Sequence, residues 1–148
     1  MAKDFSPSAL KIMRARSGGR CEGCGQVLRN AGEAHHRKFR SRGGLGTAAN
    51  GLVLCGFGNA DGCHGEAHSG AGPILGWAVG SGFEPEQVAV VHARFGAVTF
   101  TDSGLVLAAE GTPCWAHSGV SVHGVAGCSF CRPVGRILWD FDSCKEWF

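Results

Sequence analysis

A chain of 148 residues, 44% hydrophobic and 18% charged, is long enough to bury one compact core and too short for several. No window approaches the ~20 uninterrupted apolar residues of a membrane span, and Met1 to Phe5 has no apolar stretch of the kind that drives secretion, so a soluble, cytoplasmic protein without membrane partners is expected. The net charge of +2 hides a split: residues 1–50 carry ten Lys and Arg against three acids and residues 51–148 carry four against nine, so the basic third suits a phosphate-bearing partner.

The 25 glycines predict many turns, and in a reducing compartment spaced pairs among the 8 cysteines read as metal ligands rather than disulfides, although Cys144 has no evident partner. At the start, Ser6 can cap a helix, Pro7 suits its first turn and Gly18-Gly19 can end it, so Ser6 to Ser17 is expected to be helical. Phe5 and Leu10 hold staple positions, Leu10 and Met13 face the core, and Arg14 and Arg16 complement the dipole at its last turn. Cys21-x-x-Cys24, with a glycine after each half, has the shape of a zinc knuckle turn. Residues 33–39 can form a short strand, a basic glycine-rich loop runs from Arg40 to Gly46, and Leu52-Val53-Leu54 suits a second strand. Gly56 to Gly62 reads as loop. Cys63 to His68 reads as a brief helix broken by Gly70 to Pro73, with His64 and His68 four residues apart on one face. Val88–His92, Gly96–Phe100 and Leu105–Ala108 then suggest a β-hairpin or meander. From Thr112 the texture changes to small residues and further cysteines. The expected organisation is therefore a catalytic unit over 1–80 with its N-terminal helix, a β-hairpin extension over 81–111 packed on it, and a loosely ordered C-terminal appendage over 112–148.

Four thiols, Cys21, Cys24, Cys55 and Cys63, are enough to close a tetrahedral structural zinc site. Four of the seven histidines gather as His35-His36 and His64-x-x-x-His68. Adjacent strand residues point to opposite faces, so His35 and His36 cannot share one job. One can ligate a metal while the other approaches a water, and the two helical histidines can complete the ligand set. That is a hydrolytic arrangement, because an imidazole with an ordinary pKa of about 6.5 can take a proton from water beside a cation that polarises a phosphate. Arg37, Lys38, Arg40 and Arg42 flank this strand and are expected to hold a nucleic-acid backbone. A second zinc knuckle is a candidate in the tail, formed by Cys114, His117, Cys128 and Cys131.

In order along the chain, Cys21-x-x-Cys24, His35-His36 followed by basic residues and Gly43-Gly44, Asn50 ahead of Leu52-Val53-Leu54-Cys55, and Cys63-His64 opening a short helix resemble the HNH endonuclease family. The likeness is closest to the zinc-containing HNH proteins of actinobacterial phages and prophages, covers about the first two thirds of the chain, and fades beyond Ala109. It implies an α+β protein built on a ββα-metal (His-Me finger) core, stapled by the four-cysteine zinc site. By motif position it makes His36 the general base, His35 and His64 ligands of a catalytic divalent ion, His68 a further helical ligand found in some members, and Asn50 the residue that braces the loop and orients the base. It further implies hydrolysis of DNA to 5′-phosphate and 3′-hydroxyl ends, by nicking or double-strand cleavage with weak sequence preference. The ion would be Mg2+, Mn2+, Ni2+ or Zn2+, the setting a bacterial or phage-infected cell, and phage DNA processing beside a terminase one role. The long Cys55 to Cys63 spacing departs from the Cys-x-x-Cys of many members. Two rival readings are a zinc-stapled DNA-binding adaptor that keeps the scaffold without cleaving, and a structural zinc protein with no nucleic-acid role. Oligomeric state is left open by the sequence.

Overall fold

The computed structural model describes residues 3–109 and 135–144, and over these the protein is α+β. The first helix, α1 (Pro7–Ser17), begins as the sequence predicts. The Ser6 side chain accepts from the Ala9 amide at 3.1 Å, and Gly18 takes the left-handed conformation that closes the helix (φ 61°). Its buried face carries Ala9, Ile12, Met13 and Ala15, and with them Arg16. Leu10 is only partly buried.

A hairpin follows, with β1 (Glu33–His36) antiparallel to β2 (Gly51–Leu54) and His35 opposite Leu52. β2 is buried throughout, as its apolar run requires. Helices α2 (Gly62–Ala67) and α3 (Ala71–Leu75) come next, so the expected break at Gly70 to Pro73 is instead a second short helix capped by Gly76.

The expected meander is larger than the sequence suggested. Strands β3 (Val90–His92), β4 (Gly96–Phe100) and β5 (Leu105–Ala108) are joined by β6 (Ile137–Asp140) in one antiparallel sheet ordered β3-β4-β5-β6. α4 (Phe141–Cys144) follows directly. The expectation of a separate appendage from residue 112 is therefore corrected for 135–144: Trp139 lies opposite Val106 and is buried, and Phe141 packs against Ala9 and Ile12 of α1. β6 thereby covers an edge of β5 that would otherwise be unpaired. Nor is there a core boundary at residue 80, because one cluster joins Ala15, Leu52, Leu54, Trp77, Val98, Phe100, Val106 and Trp139.

Charged groups stitch this core together. Glu22, fully buried, accepts from Arg16 Nε at 2.5 Å and Nη2 at 3.1 Å, from the Val53 amide at 2.8 Å and from His92 Nε2 at 3.1 Å. Burial pushes its carboxyl up, but the Arg16 and His92 partners outweigh that and hold it at about 2. His92 Nδ1 in turn accepts from the Arg94 and Phe95 amides, so the neutral ring with its proton on Nε2 satisfies every partner. Phe100 presents its face to the Arg16 guanidinium at 3.7 Å. Among the described residues no helix is long and apolar enough to cross a membrane.

Candidate functional site

The structure brings Cys21, Cys24, Cys55 and Cys63 together, with their sulfurs all within 4.8 Å of one another and no disulfide between them. Cys24 and Cys55 sulfurs are 3.8 Å apart. The first pair sits on the expected tight turn, where the Gly25 amide donates to the Cys21 carbonyl at 2.8 Å. The long second spacing also works, because the loop is pinched at its base. Gly56 and Gly62 both have positive φ (106° and 57°), and a Cβ on Gly62 would lie 2.7 Å from the Gly56 Cα. Seven residues therefore bridge two cysteines that are neighbours in space.

Backbone amides point at these sulfurs: the Cys55 amide donates to Cys21 Sγ at 3.2 Å and the Cys63 amide to Cys55 Sγ at 3.5 Å. Burial raises the Cys21 thiol, yet backbone hydrogen bonds at Cys24, Cys55 and Gly23 outweigh it and the net direction is down. Cys55 and Cys63 are pushed up, by burial first and by the neighbouring sulfurs next. Four sulfurs this close cannot all ionise unless a cation sits among them, and amide donors aimed at thiolates are what a metal-bound set requires. The cluster could hold a metal such as zinc.

The second cluster is made of imidazoles. His35 comes from β1, His64 from the first turn of α2 and His68 from its C-cap, and their ligand atoms lie within 4.8 Å of one another. Ring centroids are 5.1 to 5.3 Å apart and the planes nearly perpendicular, at 68 to 78°. His35 Nε2 lies 2.7 Å from the Trp77 carbonyl, so it carries the proton and Nδ1 keeps a lone pair for a metal. Burial, then the neighbouring histidines, lower the His35 pKa to about 4 against the Trp77 bond that raises it. His64 is lowered too, chiefly by burial. Its Nδ1 is buried with no hydrogen-bond partner, 3.9 Å from a Glu33 carboxylate oxygen. Neutral rings with an orphaned nitrogen suit a cation better than they suit solvent.

The two helical histidines and His35 border an open cavity of about 270 Å³, which His36, Ala34, Phe39, Arg40 and Asn59 also line. His36 is half-buried, its Nε2 2.7 Å from the Lys3 carbonyl and its ring stacked on Phe5 with centroids 4.0 Å apart. Its pKa is lowered, by burial first, and raised in part by the Lys3 bond. The hydrogen bonds of Asn50 go to other residues. Asn50 Oδ1 accepts from the Lys38 amide at 2.6 Å, its Nδ2 donates to the Lys38 and Leu45 carbonyls, and its own carbonyl accepts from the Arg37 amide at 2.8 Å. Asn50 thus braces the residues that follow His36 and the loop from Arg40 to Gly46.

The four expected phosphate cations divide into two pairs. Arg40 is exposed at the cavity and pairs with Asp4, and exposed Arg42 lies 4.6 Å over the Phe39 ring. The expectation for Arg37 and Lys38 is corrected. Arg37 is 0% exposed, and its guanidinium donates to the carbonyls of Gly76, Ala49, Pro85 and Val88. Residues two apart along an extended chain share a side, so Arg37 follows His35 inward, where unpaired carbonyls need donors. Lys38 is buried as well, with its ammonium 3.5 Å from Glu84.

The candidate second zinc ligands Cys114, His117, Cys128 and Cys131 lie outside the described residues. Glu33, Phe39, Asn59 and the Lys3 to Phe5 segment were missed from the sequence. Glu33 alone had a signal, since it stands two residues before His35 on the same strand face. No protein-family model matches the chain, and no curated protein and no solved structure matches it either.

Proposed function

We propose that the protein is a metal-dependent endonuclease that hydrolyses DNA phosphodiester bonds, with β1, β2 and α2 as the ββα-metal core of an HNH nuclease and the four cysteines as its structural zinc staple. One observation carries this reading: a fourth imidazole, His36, borders the same open cavity as the three-histidine cluster without belonging to it. A structural metal site needs no spare base, whereas a hydrolytic site needs both parts within reach of one phosphate.

A divalent ion, Mg2+, Mn2+, Ni2+ or Zn2+, held by His35, His64 and His68 would supply positive charge to the phosphate and to the departing 3′ oxygen. His36 takes the proton from the attacking water, and its lowered pKa keeps it neutral and able to do so near pH 7. Arg40 and Arg42 hold the backbone at the cavity mouth, and such contacts carry little base information, hence weak sequence preference. Asn50 keeps the strand end and the basic loop in register. Phage or prophage DNA processing beside a terminase is a role consistent with this chemistry.

The test is nicking of supercoiled plasmid with each of the four ions. His36→Ala should lower the rate by about 10² to 10⁴-fold while metal content and melting temperature stay as in the parent. Equal nicking by the variant would remove His36 from the mechanism. DNA binding by a parent that nicks with none of the ions would leave the adaptor reading in its place.

A further inference from the structure

Three contacts reach His36 and its cavity from residues 3–5, which belong to neither the cysteine nor the histidine motif. The Lys3 carbonyl lies 2.7 Å from His36 Nε2, the Phe5 ring stacks on the imidazole at an interplanar angle of 23°, and the Asp4 carboxylate pairs with cavity-lining Arg40. The segment is seated, not draped. Ser6, the next residue, caps α1 and its amide donates to the Gly46 carbonyl at 3.4 Å. A Cβ on Gly46 would lie 1.9 Å from the Asp4 carbonyl oxygen and 2.6 Å from the Phe5 nitrogen, and one on Gly51 would lie 2.9 Å from Phe5 Cε1. Two glycines therefore make room for this segment between α1 and the hairpin, and the helix cap sets where it starts.

We infer that Lys3 and Phe5 form a positioning strap that holds His36 with its proton on Nε2, leaving Nδ1 as the nitrogen that receives the proton from water. The inference deepens the nuclease reading and rests on it for the role of His36. A carbonyl can only accept, so a bond between it and Nε2 requires the proton on Nε2, and a neutral ring has only one to place. Without the strap the ring would exchange tautomers and rotate about χ2, and only part of its population would present a basic nitrogen to the cavity. Phe5 removes the rotation by covering one face, and the Lys3 carbonyl removes the tautomer exchange. Neither touches substrate. Their effect should therefore appear in the chemical step and leave binding as it was.

Two full-length variants test this. In the first, the Lys3–Asp4 peptide bond is replaced by an ester through semisynthesis, with Cys21 as the ligation point, which weakens the Lys3 carbonyl as an acceptor and changes no side chain. The second is Phe5→Leu, which keeps apolar volume and loses the stacked ring. Both are first checked for parental zinc content and circular dichroism. The His36 Nε2 proton should be visible by NMR in the parent and exchange at least about tenfold faster in the ester variant. In nicking assays kcat should fall about tenfold in each variant with KM within about twofold. A rise in KM at unchanged kcat, or lost protection with unchanged kcat, overturns the positioning role. Should the parent fail to nick, the nuclease reading fails and the proton still decides: protection in the parent that the ester abolishes upholds the strap, and an unprotected parent overturns it.

Discussion

The cysteine and histidine clusters meet at a single peptide bond. Cys63 supplies a sulfur to one and His64 a ring to the other, and in a helix of 3.6 residues per turn adjacent side chains diverge by about 100°, so the first turn of α2 feeds both. They differ in what borders them. Backbone amides donate to the Cys21 and Cys55 sulfurs, while all three imidazoles border the open cavity that His36 shares. A cysteine site held by backbone amides and an imidazole site beside a cavity, joined back to back, imply a one-way dependence: the first can stand without the second, but the second cannot keep its geometry without the first.

The largest effect should come from breaking the cysteine site. Chelation, or Cys21→Ser, should cost on the order of 10 kcal/mol, unfold β1, β2 and α2, and release both ions. His64→Ala should release one ion and leave the cysteine-held one, with the fold intact. Metal counting by mass spectrometry beside thermal melts in circular dichroism reads both, and unchanged melting of the chelated protein would mean that the cysteines are no staple.

A smaller loss is expected from the buried cations that hold the sheet against the site. Arg37→Met should destabilise by about 3 kcal/mol by leaving four carbonyls short of a donor. The same variant should leave the salt dependence of DNA binding where it was, because a buried guanidinium makes no phosphate contact. Urea melts and a salt titration of plasmid binding check the two halves. A flattened salt slope would return Arg37 to the phosphate-binding set.

The smallest change belongs to the surface. Arg40→Ala should alter stability by no more than about 0.5 kcal/mol, since an exposed pair with Asp4 contributes little. It should lower the slope of log binding constant against log salt by about 1, as loss of a single phosphate contact does. An unchanged slope would mean that Asp4 keeps Arg40 from the backbone.

Much of this was legible in the residues. The capped helix, the Cys21-x-x-Cys24 turn, both strands of the hairpin and the pairing of His64 with His68 follow from local rules, and the structure places them where those rules put them, except that the first strand ends at His36 and not at Phe39. What local rules misjudged was charge. Arg37 and Lys38 were expected to meet a phosphate backbone, and Arg16 and Glu22 are of types that usually face solvent, yet all four are buried. Their partners lie far along the chain: Glu22 meets His92, and Arg37 meets the carbonyls of Pro85 and Val88. β6 escaped notice for the same reason, because its pairing with β5 spans a long stretch of intervening sequence.

The sequence by itself determined which atoms could bind metal or take a proton, since donor type, spacing and turn chemistry are local properties. The tertiary structure alone decided which of them meet, which cations face solvent, and that an N-terminal carbonyl and a phenyl ring lie against His36. Those outcomes depend on how carbonyls and apolar faces distant in sequence are satisfied together when the core closes, and no window of neighbouring residues contains that information.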